Sequence, residues 1–254
     1  MSRYVALFLA LAMAFAPAMS YAAPQKMFAQ VTRVTGTAHH SYAAIPDAKE
    51  TTTVGARLFD GDRIVTDAGS RVELLLQSGG SMIVDERTTL VLTTLRKDDR
   101  GALAYSFNLV FGRIKSFLSR TSNKDQIEYA TKAAIAGIAG TPPHVIEAKK
   151  DNSGKIVAGV FLLKGSKGQL FVKGLGAKPG TVLLNPGMGT TVLEGLAPLA
   201  PFALSPALLQ SLEAIKATVM PTAPAPSTPT APSAPATGGS TGGTPGAGAS
   251  TGAS

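Results

Sequence analysis

The feature that most constrains the fold is punctuation. Between residues 28 and 193 the chain consists of short apolar runs, each cut off by a turn-forming group within about ten residues. The interruptions fall at Asp60-Gly61, Ala68-Gly69, Ser78-Gly79-Gly80, Phe111-Gly112, Asn152-Ser153-Gly154, Gly165-Ser166, Gly174 and Asn185-Pro186-Gly187. The runs between them are rich in Val, Ile, Leu, Thr and Phe, residues that suit a pleated surface. They predict strands at 28–34, 63–66, 72–77, 81–84, 89–95, 105–110, 113–117, 126–130, 144–147, 157–164, 169–172, 181–184 and 190–193. Val72, Leu74 and Leu76 alternate with Arg71, Glu73 and Gln77, which predicts one buried and one exposed face for that strand. Many short strands at this spacing indicate an all-β domain, either sandwich-like or a short β-solenoid.

The two ends differ from the middle. Arg3, the apolar run from Tyr4 to Ala16, Pro17 and then Ser20-Tyr21-Ala22 have the form of a signal peptide at 1–22, cleaved after Ala22. The run is too short to span a bilayer, which takes about 20 apolar residues. The expected location is therefore the periplasm or cell surface. One amphipathic helix is predicted within 201–220: Ser205 is a good N-cap and Pro206 suits the first helical position. Leu208, Leu212, Ile215 and Val219 then share one face, and Pro221 ends the helix. Residues 221–254 contain only Pro, Thr, Ala, Ser and Gly, which cannot bury enough apolar surface to offset chain entropy, so a disordered tail is expected. That leaves 23–200 as the β domain.

Charge is unevenly placed. Residues 26–112 hold ten basic and ten acidic groups, whereas 113–178 hold twelve basic and four acidic, a local net charge of +8. A lysine-rich second half attracts an anionic surface or an acidic protein. Arg113, Lys115, Lys164, Lys167 and Lys173 are the candidate binding residues. With no Trp and only 5 Tyr the chain lacks groups for stacking on nucleobases, so nucleic acid is not an expected partner.

Candidates for chemistry are sparse. The absence of Cys excludes a disulfide framework, a thiolate zinc site and a thiol nucleophile. The three histidines are His39, His40 and His144; neighbours on a strand point to opposite faces, so His39 and His40 cannot share a metal. Asp60, Asp62 and Asp67 have the look of a calcium loop, but Ile64 and Val65 occupy positions that need oxygen donors. No metal, cofactor or catalytic group is expected, and the chain reads as a non-enzyme. A hydrolase working through His144 or Asp62 is the enzymatic alternative, and a structural protein adhering to anionic cell-wall polymer through 113–178 is the other.

Three stretches carry a resemblance. Gly61-Asp62-Arg63-Ile64-Val65-Thr66, followed by Gly69-Ser70-Arg71-Val72-Glu73-Leu74, is the first. Tyr129-Ala130-Thr131 through Gly137-Ile138-Ala139-Gly140-Thr141 is the second, and Val160–Gly165 with Thr181–Thr191 the third. In this order they resemble the FecR domain of bacterial envelope proteins over about 28–193. Ala139 stands where that family has Arg, Ser78-Gly79-Gly80-Ser81 where it has Asp-Gly-Ser, and Pro142-Pro143 where it continues into a strand. The resemblance implies a stand-alone envelope module that binds a protein or polymer partner in a signalling role and has no enzymatic activity. It also singles out Gly61, Asp62, Thr66, Ser70, Arg71, Gly140 and Thr141 as motif residues with structural roles.

Overall fold

The computed structural model describes residues 27–77, 80–97, 103–118, 126–141, 143–177 and 179–215. The expected signal peptide at 1–22 and the expected tail at 221–254 lie outside the described residues. The first half forms β1 (Met27–Thr35), β2 (Ala38–Ser41), β3 (Glu50–Thr51), β4 (Arg57–Phe59), β5 (Arg63–Thr66), β6 (Arg71–Leu76), β7 (Ser81–Val84) and β8 (Thr89–Lys97). A long strand follows, β9 (Leu103–Phe117). The second half forms β10 (Gln126–Ala130), β11 (Ala134–Thr141), β12 (His144–Lys150), β13 (Ile156–Leu162), β14 (Lys167–Gly174), β15 (Thr181–Leu184), β16 (Met188–Leu193) and β17 (Phe202–Ala203). One helix, α1 (Pro206–Glu213), comes last.

These strands make two sheets. One runs β4–β1–β6–β7–β9–β12–β13–β16–β17. The other runs β3–β2–β5–β8–β9–β10–β11–β14–β15, with β9–β10 its one parallel pair among the described strands. Strand β9 belongs to both, so the 17 strands form an open ladder folded over on itself. Of the two expected all-β architectures this is the sandwich-like one.

The fold-over occurs at Gly112. Residues 103–111 of β9 pair with β8 in the second sheet, and 112–116 pair with β12 in the first. Gly112 has φ +100°, and a Cβ there would lie 2.5 Å from the Cα of Thr88, so no other residue fits without displacing backbone. Thr88, itself fully buried, locks the bend: its hydroxyl accepts from the Arg113 amide at 3.0 Å. Sequence punctuation at Phe111-Gly112 predicts two strands; the structure instead makes one bent strand there, because a kink that stays paired on both sides need not end a ladder.

Inward-facing residues of both sheets form one core. Phe28 of the first sheet meets Tyr105 and Phe107 of the second edge-on, each at 5.4 Å, and Phe107 stacks on Tyr129, its neighbour across the β9–β10 ladder, at 5.1 Å. Burial of each such side chain is worth about 1.5–3 kcal/mol. A smaller cluster (Val145, Phe161, Leu163, Leu204, Leu209 and Leu212) lies where α1 covers the outer face of the first sheet. The helix is N-capped by Ser205, whose Oγ accepts from the Leu208 amide at 3.3 Å, as its sequence predicts. Leu212 and, just past the helix end, Ile215 are buried as predicted; Leu209 is buried as well, Leu208 is only half-buried, and Val219 lies outside the described residues. Glu73, expected on the exposed face of β6, is instead buried at 8% exposure.

Candidate functional site

The motif residues of the first half close turns. Gly61 has φ +86°, and a Cβ there would come within 2.6 Å of the Ala43 Cβ. Asp62 is 2% exposed; its carboxylate accepts from the Ala43 amide at 3.0 Å and the Phe59 amide at 2.7 Å, tying the 42–44 segment to the β4–β5 turn. Burial raises its pKa above the usual carboxylate range, opposed by those two backbone bonds. The buried Thr66 hydroxyl donates to the Asp85 carbonyl and accepts from the Thr88 amide. Ser70 Oγ accepts from the Thr37 amide at 2.8 Å. Gly140 and Thr141 end β11 in register with Gly168 and Lys167. None of this leaves Asp62 free for chemistry.

Arg71 opens a belt of charge beside α1. It pairs with Asp85 at 2.9 Å; Arg113 reaches Asp85 at 3.9 Å and Glu147 at 2.8 Å; Lys149 reaches Glu147 at 3.3 Å. Burial would raise the Glu147 pKa, but the Arg113 hydrogen bond and charge, with help from Lys149, hold it below the usual range. Cavities of about 200 and 420 Å³ flank the belt. Arg113 is thus committed to carboxylates of its own chain. Lys115 also departs from the expected basic surface. It is 5% exposed under the helix, and its Nζ donates to the Leu212 carbonyl at 3.2 Å, close to the helix C-terminus. It positions α1 and is not offered to a partner.

His144 is fully buried with its ring 5.1 Å from that of Tyr129, and neither ring nitrogen has a hydrogen-bond partner. Burial lowers its pKa to about 3. The Tyr129 hydroxyl donates to Ser116 Oγ at 2.7 Å, and its pKa is pushed up by burial. His144 sits in the first sheet and Asp62 beside the second, each enclosed by its own surroundings, so the hydrolase alternative gains no assembled pair. On β2, His39 is half-exposed near Asp67 at 4.0 Å, whereas His40 is buried against Thr52 and Tyr42, on opposite faces as strand geometry requires. Among the described residues no group of three His, Asp or Glu side chains stands close enough to hold a metal.

Accessible surface lies on the outside of the second sheet and in the 194–202 segment. A groove of about 900 Å³ runs beside the β9 bend, between the end of β10 and the β12–β13 hairpin. Val110 and Phe111, 44% and 36% exposed, lie on its apolar side; Ser106, Asn108 and Thr131 supply polar atoms, and Lys132 and Lys150 stand at its edge. Lys132 is paired with Glu194 at 2.8 Å. Further along the sheet, Lys164, Lys167 and Lys173 are exposed, with Phe171 and Leu183 between them. Of the ten large hydrophobic side chains exposed among the described residues, six (Phe171, Leu175, Leu183, Leu196, Leu199 and Phe202) fall within 171–202. The lysines were legible as charge. Their apolar neighbours were not, because an alternating strand gives no sign of which face meets a covering element.

No family model matches the chain, and no curated protein matches it. Among solved structures it is similar to two crystal structures of a "putative anti-sigma factor" from Parabacteroides distasonis, each at 14% identity and a TM-score of 0.43. Each match covers 56% of this chain and 59% of that chain. No described helix is long and apolar enough to cross a membrane.

Proposed function

We propose that this chain is an exported, non-enzymatic binding module of the bacterial envelope, of the FecR type, which serves regulation by engaging a protein partner. The observation that carries this reading is the concentration of exposed apolar side chains at 171–202, with exposed Lys167 and Lys173 beside Phe171. Contiguous apolar surface rimmed by polar groups is what a protein-binding face offers. Export is supported by the form of residues 1–22, and a non-catalytic role by the enclosure of His144 and Asp62.

The test is cross-linking and recovery of the full chain from envelope extracts. One protein should be recovered in near-stoichiometric amount, and a synthetic 216–254 peptide added as competitor should leave that recovery unchanged. Loss of recovery to that peptide would move binding to the tail. Salt-sensitive retention on isolated cell walls without any recovered protein would replace the reading with the polymer-adhesion alternative.

A further inference from the structure

A sheet edge either needs a blunting device or serves as a pairing site. Three of the four edges here are blunted by shortness. Strands β3 and β17 have two residues each, and β4 has three, with an exposed Arg57. The fourth edge is β15, Thr181-Val182-Leu183-Leu184: four residues, no charge, no proline. It pairs with β14 and with no other described strand.

The ladder fixes which backbone groups β15 leaves open. The Gly174 amide donates to the Gly180 carbonyl, so residues 174 and 180 form a bonded pair. Bonded and non-bonded pairs alternate in an antiparallel ladder, which assigns Val182 and Leu184 to β14. The N–H and C=O of Thr181 and Leu183 therefore point away from the sheet. On the outer face Leu183 stands directly opposite Phe171, each 46% exposed. The Phe171 ring lies over Gly137, where a Cβ would come within 2.6 Å of it, so the ring is seated on the glycine. Lys173 is opposite Thr181, and Lys167 lies further along the same face of β14; neither β14 nor β15 carries an acidic residue.

We infer that β15 is the docking edge of this module: an extended, acidic and apolar segment of the partner protein adds to it as a tenth strand of the second sheet, bonding to Thr181 and Leu183. Backbone pairing gives the register, an apolar side chain beside Leu183 extends the Phe171–Leu183 patch, and Lys173 opposite Thr181 selects against basic segments. The inference rests on the binding-module reading and names the surface and the chemistry of its partner.

The probe is a fluorescent eight-residue peptide, Glu-Thr-Val-Thr-Glu-Thr-Val-Thr, which puts Glu and Val on one strand face, with the same peptide carrying Lys for Glu as control, both titrated into the full chain. The acidic peptide should bind, more weakly as salt rises, and the basic one at least tenfold less well. Leu183→Pro removes only an outward N–H, so it should keep the thermal midpoint and weaken the acidic peptide at least tenfold; Leu183→Ala, which keeps the N–H, should weaken it less. If Leu183→Pro does not fold, Lys173→Glu decides, by loss of the preference for the acidic peptide. Equal binding of the two peptides, no binding of either, or a folded Leu183→Pro with unchanged affinity would overturn the inference. Unchanged recovery of the envelope partner by Leu183→Pro would reject this edge and leave the module reading intact. Failure to recover any partner, with peptide binding as expected, would do the reverse.

Discussion

Strands β1–β8 and β10–β17 each place four strands in each sheet, on either side of β9, yet the two halves treat their polar and apolar residues differently. In the first half Asp62, Thr66, Ser70 and Thr88 are buried and hydrogen-bonded to backbone at turns, and Ile45 and Val54 are its exposed large hydrophobics among the described residues. In the second half the exposed lysines and six exposed apolar side chains lie on or near the outer strands. Thr131, Ser166 and Thr190 are buried and bonded to backbone in the second half too, so the halves differ in what they expose rather than in what they bury.

The shared strand is where the comparison breaks most readily. Gly112→Ala places a Cβ against the Thr88 backbone at a φ of +100°, and should cost about 3–5 kcal/mol, since neither the kink nor its buried lock can move independently. Because β9 serves both sheets, unfolding should stay a single transition with a lowered midpoint in thermal melts followed by circular dichroism. Two separate transitions would mean that the halves are independent domains.

The turn-closing role of the first half is tested next. Asp62→Ala leaves two amides, of Ala43 and Phe59, without their acceptor in a buried turn, and should lower stability by about 2–3 kcal/mol in denaturant titrations. Asp151 makes a turn of similar form in the second half, accepting from the Ser153 and Lys155 amides, but in solvent. Asp151→Ala should barely move the midpoint. Equal losses from the two would erase the distinction between the halves.

Acid should act on the second half first. Burial depresses the His144 pKa from 6.5 to about 3 in the folded chain. Between those values the unfolded chain takes up a proton that the folded one does not. Stability therefore falls as pH drops below 6.5, by about 1.4 kcal/mol per unit. Glu147, whose folded pKa is depressed, contributes stability above its unfolded pKa and loses it at still lower pH. His144→Leu should flatten the upper part of this dependence without destabilising the neutral protein, because both ring nitrogens lack partners. An unchanged acid slope would show that His144 does not control it.

Several elements were legible in the sequence for a physical reason. Strands β5, β7, β10 and β15 have the predicted bounds, since branched apolar runs between turn residues leave little choice of register. Strand β11 was missed because five of the eight residues of Ala134–Thr141 are Ala or Gly, which have weak strand preference. It is a strand because it lies between β10 and β14, and Gly137 gives the Phe171 ring its seat. Lysine content pointed to the second half, but Lys115 and Lys173 look alike in sequence. Only the placement of α1 separates the buried one from the exposed one.

The smallest expected change in stability is also the sharpest test of the contrast. Leu183 is 46% exposed on an edge strand, and Val54 is 64% exposed in a loop of the first half. Neither Leu183→Ser nor Val54→Ser should shift stability by more than about 0.5 kcal/mol, because each side chain already meets water. Their effects on partner recovery should nonetheless differ. Removing Leu183 deletes half of the apolar pair it forms with Phe171, at an edge whose outward amides remain unpaired by described strands. Removing Val54 deletes an isolated contact with no such edge beside it. Leu183→Ser should lower recovery of the envelope partner several-fold while Val54→Ser leaves it unchanged. If the two variants behave alike in pull-downs, the apolar surface of the second half is ordinary exposed hydrophobe, and the difference between the halves has no bearing on binding.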